Sequence, residues 1–102
     1  MKIIKCLSEK IAEEIHDADS YVDLAMEWKE TEPEAAELFY DLSGEELGHA
    51  DRLHDVVVNR IKKYRDENGE PPEPMMVLYD YLHEKQIKNS MMVKIKQGMY
   101  KE

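Results

Sequence analysis

All four prolines of this chain fall at two breaks, and between those breaks apolar residues recur in steps of three and four. That spacing belongs to a helix that buries one stripe, because residues three and four apart lie on the same side. The first break is Lys29-Glu30-Thr31-Glu32-Pro33-Glu34, where Thr31 and Glu34 have capping-box spacing and Pro33 suits a first helical turn. The second, Asn68-Gly69-Glu70-Pro71-Pro72-Glu73-Pro74, has the form of a helix C-cap followed by a stiff connector. No run alternates with period two between turn residues, so strands are not expected. The chain is therefore read as all-α and as one domain, with helices over about residues 4–29, 32–68 and 75–99.

Each of the first two helices interrupts its stripe near the middle with groups that titrate. In helix one the stripe runs Ile4, Leu7, Ile11, then Ala18, Tyr21, Ala25 and Trp28, and Glu14 fills the gap. Ile15, Val22 and Met26 lie on its flank. In helix two it runs Ala35, Phe39, Leu42, then Leu53, Val56 or Val57, Ile61 and Tyr64, with Glu46 and His49 in the gap. Helix three is less regular. Leu78, Leu82, Met92, Ile95 and Met99 lie near one face, Lys85 and Asn89 weaken it, and a kink or early end is expected near Lys88-Asn89-Ser90.

The turn near residues 30–31 sets the level at which these groups meet. Glu14 precedes it by about 16 residues, and Glu46 and His49 follow it by about 16–18, so at ~1.5 Å per residue an antiparallel hairpin brings all three to one height. Burying carboxylates costs several kcal/mol per ion unless charge or hydrogen bonds compensate. A cation held by two carboxylates and an imidazole supplies that compensation, and the Glu-x-x-His spacing lets both side chains of helix two share it.

Composition narrows the partners. The formal net charge of -9, with no basic patch, opposes contact with nucleic-acid phosphates and with an anionic membrane surface. A charged fraction of 36% beside a hydrophobic fraction of 42% leaves a short chain with a thin core, which favours at least a homodimer. Cys6 is the only cysteine, so no intramolecular disulfide forms and any ligands come from Glu, Asp and His. Charges at Glu9, Lys10, Glu13 and Glu14 follow too soon for a signal-peptide core, so the cytoplasm is the expected compartment.

The segment Glu45-Glu46-Leu47-Gly48-His49-Ala50-Asp51-Arg52-Leu53 resembles the second-helix motif of ferritin-like proteins, especially rubrerythrins and bacterioferritins. Glu14, about 32 residues upstream, with Tyr21 seven positions later, looks like that family's first-helix ligand and nearby tyrosine. A full ferritin-like bundle has four helices and two Glu-x-x-His motifs, whereas this chain offers a single hairpin of the kind. It is similar instead to half-length members, including encapsulated ferritins, in which two chains complete one four-helix core.

What the resemblance implies is a di-iron site of two ions per dimer, Glu46 bridging and Glu14 and His49 terminal. It also implies oxidation of Fe(II) by oxygen or peroxide. Oxygen donors with imidazole suit manganese or zinc too. Asp17, one turn after Glu14, and Tyr21 are candidates for supporting roles around the ligands. Two rival expectations remain beside it: a non-enzymatic helical assembly or adaptor whose polar seam only sets register, and a structural Zn-binding dimer without turnover.

Other titratable groups read as surface or flank. Glu13 and His16 form a second Glu-x-x-His on a face that is polar throughout, and His54 points away from His49 on a helical wheel. Glu84 pairs by spacing with Lys88, and the methionine pairs Met75-Met76 and Met91-Met92 read as adaptable packing.

Overall fold

A computed structural model describes residues 1–102 as three helices and no strands: α1 (Lys2–Trp28), α2 (Pro33–Asn68) and α3 (Glu73–Lys101). The molecule is a rod of 56 × 18 × 18 Å. Its long dimension is the length of α2, since 36 residues at ~1.5 Å each span about 54 Å. No helix is long and apolar enough to cross a membrane.

The contacts between α1 and α2 descend along one helix as they ascend along the other. Tyr21 meets Phe39, Ala18 meets Ser43, and Glu14 meets His49. The buried residues follow a strict alternation of four and three. On α1 they are Ile4, Ser8, Ile11, Ile15, Ala18, Val22 and Ala25, and on α2 Ala36, Ser43, Leu47, Ala50, Val57 and Ile61. Half-buried Tyr40 and His54 fill the two remaining places of the α2 series.

The expected Ile4, Ile11, Ala18 and Ala25 of α1 and Val57 and Ile61 of α2 are buried, but the other places of the seam shift by one position. Ile15 takes the place expected of Glu14, and Leu47 and Ala50 take those of Glu46 and His49. The reason is desolvation, because an aliphatic side chain gains from the buried position and a carboxylate loses there. The stripe read through Leu7, Glu14, Tyr21, Phe39, Leu42, Glu46 and Leu53 is instead a half-buried border along the same groove.

The first turn differs from the capping box in its sequence. Glu32, not Thr31, is the N-cap of α2, and no side chain caps the helix. Pro33 disfavours a helical residue before it, which holds Glu32 at φ -136° and starts the helix at the proline. The turn closes through main chain, with Glu32 N donating to Trp28 O at 2.8 Å. At the second break Gly69, with φ 81°, ends α2 and its N–H donates to Arg65 O at 2.9 Å, a conformation that favours glycine.

The third helix runs unbroken through Lys88-Asn89-Ser90, without the expected kink. It lies against the α1–α2 pair through polar anchors, through Val93 and Tyr79 on the core, and through the stacked rings of Tyr100 on Tyr40 and His83 on His54. Gln86 Nε2 donates to Ser8 O at 3.1 Å, Gln97 Nε2 to Ser43 Oγ at 3.0 Å, and Lys96 reaches Asp19 and Asp23 at 2.8 and 2.9 Å. Val93 is its one buried residue. Leu78, Met92, Ile95 and Met99, expected to form its packing face, are exposed. Gly44 and Gly48 have open space where a Cβ would stand, so no close helix approach within the chain accounts for them.

Small residues set the spacing of α1 and α2. Ser43, fully buried, donates from Oγ to Ala18 O at 2.7 Å, a contact of side chain with main chain that only two small residues permit. Ala18→Leu is therefore expected to destabilise by about 1–3 kcal/mol through overpacking. Ser43→Ala is expected to cost only about 1 kcal/mol, because half-buried Gln97 turns to water. Chemical denaturation of both variants measures the difference.

Candidate metal centre

Glu14, Glu46 and His49 come together on the border of the α1–α2 seam. Each offers one ligand atom, and no two of these atoms are farther apart than 4.8 Å. They form the one group of three or more acidic, histidine or cysteine side chains in the molecule with that property. Atoms bound to one ion at about 2.0–2.2 Å lie at most about 4.4 Å apart, so side-chain shifts of a few tenths of an ångström close the group around a cation.

Helix geometry explains the meeting. Glu46 and His49 are three apart on α2 and flank the buried Leu47 and Ala50, while Glu14 precedes the buried Ile15 on α1. The packing that buries Ile15 against the α2 seam therefore turns all three polar groups toward one side of the groove. Their side chains keep graded access to solvent: Glu46 is 19% exposed, Glu14 26% and His49 51%.

The electrostatics are unsatisfied. His49 Nδ1 stands 3.5 Å from Glu14 Oε2 and 3.8 Å from Glu46 Oε2, beyond a good hydrogen bond. Glu14 Oε2 is buried and has no hydrogen-bond partner. Proton sharing with the Glu14 carboxyl pushes Glu46 up to about 7, with burial and the charges of Glu14 and Asp17 adding and His49 opposing. Two carboxylates at one level resist ionising together.

These observations fit a divalent cation. An orphaned carboxylate oxygen gains a partner, the paired negative charges are balanced, and the donor set of two carboxylate oxygens and one imidazole nitrogen suits iron, manganese or zinc. Three protein ligands leave coordination positions open on the exposed side.

Other candidates fall outside the cluster. Asp17 is exposed and bears on Glu46 through charge. Tyr21 is half-buried, its ring stacked on Phe39 at 6.3 Å between centroids. Glu13 pairs with Lys10 at 3.1 Å on the surface, away from the three ligands. His54 is half-buried on the flank of α2, with its ring 4.6 Å from that of His83, which in turn stacks on Tyr79. The heptad series on α2 that includes position 54 is the sequence signal for this contact.

Comparison with known protein families, with characterised proteins and with solved structures finds no match.

The raised Glu46 sets a pH dependence. A carboxyl that ionises near 7 when folded and near 4.5 when unfolded favours the folded state below 4.5 and loses that contribution as pH rises through 7. Metal-free protein is therefore expected to lose stability between about pH 4.5 and 7 relative to Glu46→Gln, which removes the titration. Thermal melts of both proteins in chelator across that window test this, and parallel curves would count against the carboxyl crowding.

Proposed function

We propose that this protein binds iron at Glu14, Glu46 and His49 and oxidises Fe(II) with oxygen or peroxide at a site completed by a second copy of the chain. The observation that carries the reading is the cluster itself: three donor atoms within 4.8 Å, one of them a buried carboxylate oxygen without a partner. The ferritin-like resemblance adds the reaction and the choice of iron.

The surroundings of the cluster support the second copy. Half-buried Leu7, Tyr21, Phe39, Leu42 and Leu53 border the ligands, and Trp28 and Val56 continue the same border further exposed. That side of the α1–α2 pair is open, whereas α3 occupies the opposite groove through Ser8, Asp19 and Ser43. Two such faces placed together make a four-helix core with four glutamates and two histidines at its centre. Four carboxylates balance two divalent ions.

In this reading iron is the substrate. Bound Fe(II) gives up one electron per ion; oxygen takes four electrons and four protons to become two waters, and peroxide takes two of each. The protein's part is to hold the ions by Glu14, Glu46 and His49, to exclude bulk water with the apolar border, and to release the shared carboxyl proton on loading. Manganese and zinc fit the same donors, and a zinc-loaded dimer without turnover is the reading that metal analysis separates from this one.

Chelator-treated protein titrated with Fe(II) under anaerobic conditions is expected to saturate near one ion per chain, to associate further through the ligand-bearing face as it does so, and to develop Fe(III) absorbance on admission of air. Glu46→Gln and His49→Ala should each weaken binding by roughly tenfold or more, the scale seen when support for a metal ligand is removed. A folded protein that takes up no Fe(II) defeats the proposal. Tight zinc binding without iron oxidation would leave only a structural metal. Tighter pairing of Glu46→Leu without any metal would make the seam carboxylates mere register groups.

A further inference from the structure

The outer face of α3 is apolar and has no partner within the chain. Val77, Tyr81, Met91 and Ile95 are each more than half exposed, although the inner side of the same helix is anchored to α1 and α2. Exposed apolar patches of this kind mark contact surfaces. With Glu84 and Lys88 between them, these residues recur in steps of four and three, the spacing of a helix–helix seam. Glu84 and Lys88 form no ion pair with each other or with the rest of the chain, contrary to the pairing expected from their spacing.

The seam is self-complementary when reversed. Laying a second α3 antiparallel places Val77 against Ile95, Tyr81 against Met91, and Glu84 against Lys88 of the other copy, each contact made twice. Parallel pairing would set Glu84 against Glu84 and Lys88 against Lys88. On one flank of the antiparallel pair Asp80 faces Lys94, and Ile87 meets its own copy at the centre. On the other flank Leu78 faces Met92, and Lys85 meets Lys85, the one adverse contact. From Val77 to Ile95 the seam is about 27 Å long.

We propose that the outward face of α3 is a self-association surface, on which α3 of a second copy lies antiparallel across a two-fold axis at the level of residue 86, midway between Glu84 and Lys88. Charge complementarity selects the partner and its direction, since a repeated Glu84–Lys88 contact inside an apolar seam fits this chain to itself. A lipid surface would instead leave Glu84 facing apolar chains without a counter-charge. The contact needs no metal and lies on the side of the molecule away from Glu14, Glu46 and His49. It therefore stands or falls independently of the iron reading, and with that reading it gives each chain two different two-fold contacts.

Sedimentation of the full chain in chelator tests the surface without any contribution from bound metal. A reversible dimer is expected, weakened roughly tenfold or more by Glu84→Lys or by Lys88→Glu, because each sets like charges together. The double variant Glu84→Lys/Lys88→Glu should regain the wild-type association, and Lys85→Leu should exceed it. In a Cys6→Ser background, Val77→Cys chains mixed with Ile95→Cys chains should form disulfides between unlike chains. All these positions are exposed, and circular dichroism checks that each variant is folded. A monomer at every concentration overturns the proposal. So does a dimer indifferent to Glu84→Lys, one that the double variant fails to restore, or one that only Glu46→Gln abolishes.

Discussion

The close approach of α1 and α2 governs the rest of this molecule. Ala18, Val22, Ala25, Ala36 and Ser43 have no solvent exposure, and at their centre a serine hydroxyl reaches the main-chain carbonyl of Ala18 across the interface at 2.7 Å. Helices that meet through side chains this small leave little room between them for anything longer. A glutamate inside such a seam would be dehydrated without a partner, so the seam takes Ile15, Leu47 and Ala50, and the carboxylates move to its border. Border placement gives them what a ligand needs: one side shielded and one side open.

The same constraint explains why the candidate centre is strained electrostatically rather than sterically. Glu14 and Glu46 are turned toward one another by packing that neither controls, and Glu46 is pushed up to about 7 as a result. His49 is near enough to temper the charge but not to bond well with either carboxylate.

Two sides of the α1–α2 pair divide the remaining roles. One receives α3, held by glutamines, a lysine, a buried valine and the stacked rings of His83 on His54 and Tyr100 on Tyr40. The other carries Glu14, Glu46 and His49 and an apolar border and receives nothing from this chain. Because α3 is bound by polar anchors on its inner side, its apolar residues are free to face outward. That outward apolar face is the observation on which the proposed self-association through α3 rests.

Helix number, helix ends within a few residues, and the meeting of Glu14, Glu46 and His49 at one level were legible in the sequence, because periodicity and the two proline-bearing breaks encode them locally. Even the false expectation at Thr31 was a local one, corrected by the stronger local rule that Pro33 imposes on Glu32. Tertiary structure alone decided which of two adjacent stripes is buried. Residues 14 and 15, or 46 and 47, differ by about a third of a turn, and a wide stripe includes both. Only the partner helix, by excluding water from one stripe and not its neighbour, separates Ile15 from Glu14 and Leu47 from Glu46. The course of α3 was likewise not legible, since apolar residues surround that helix and its grip depends on Gln86, Lys96 and Gln97 finding partners on α1 and α2. Sequence thus determined which chemistry the chain can present, and packing decided that this chemistry faces outward along an open groove.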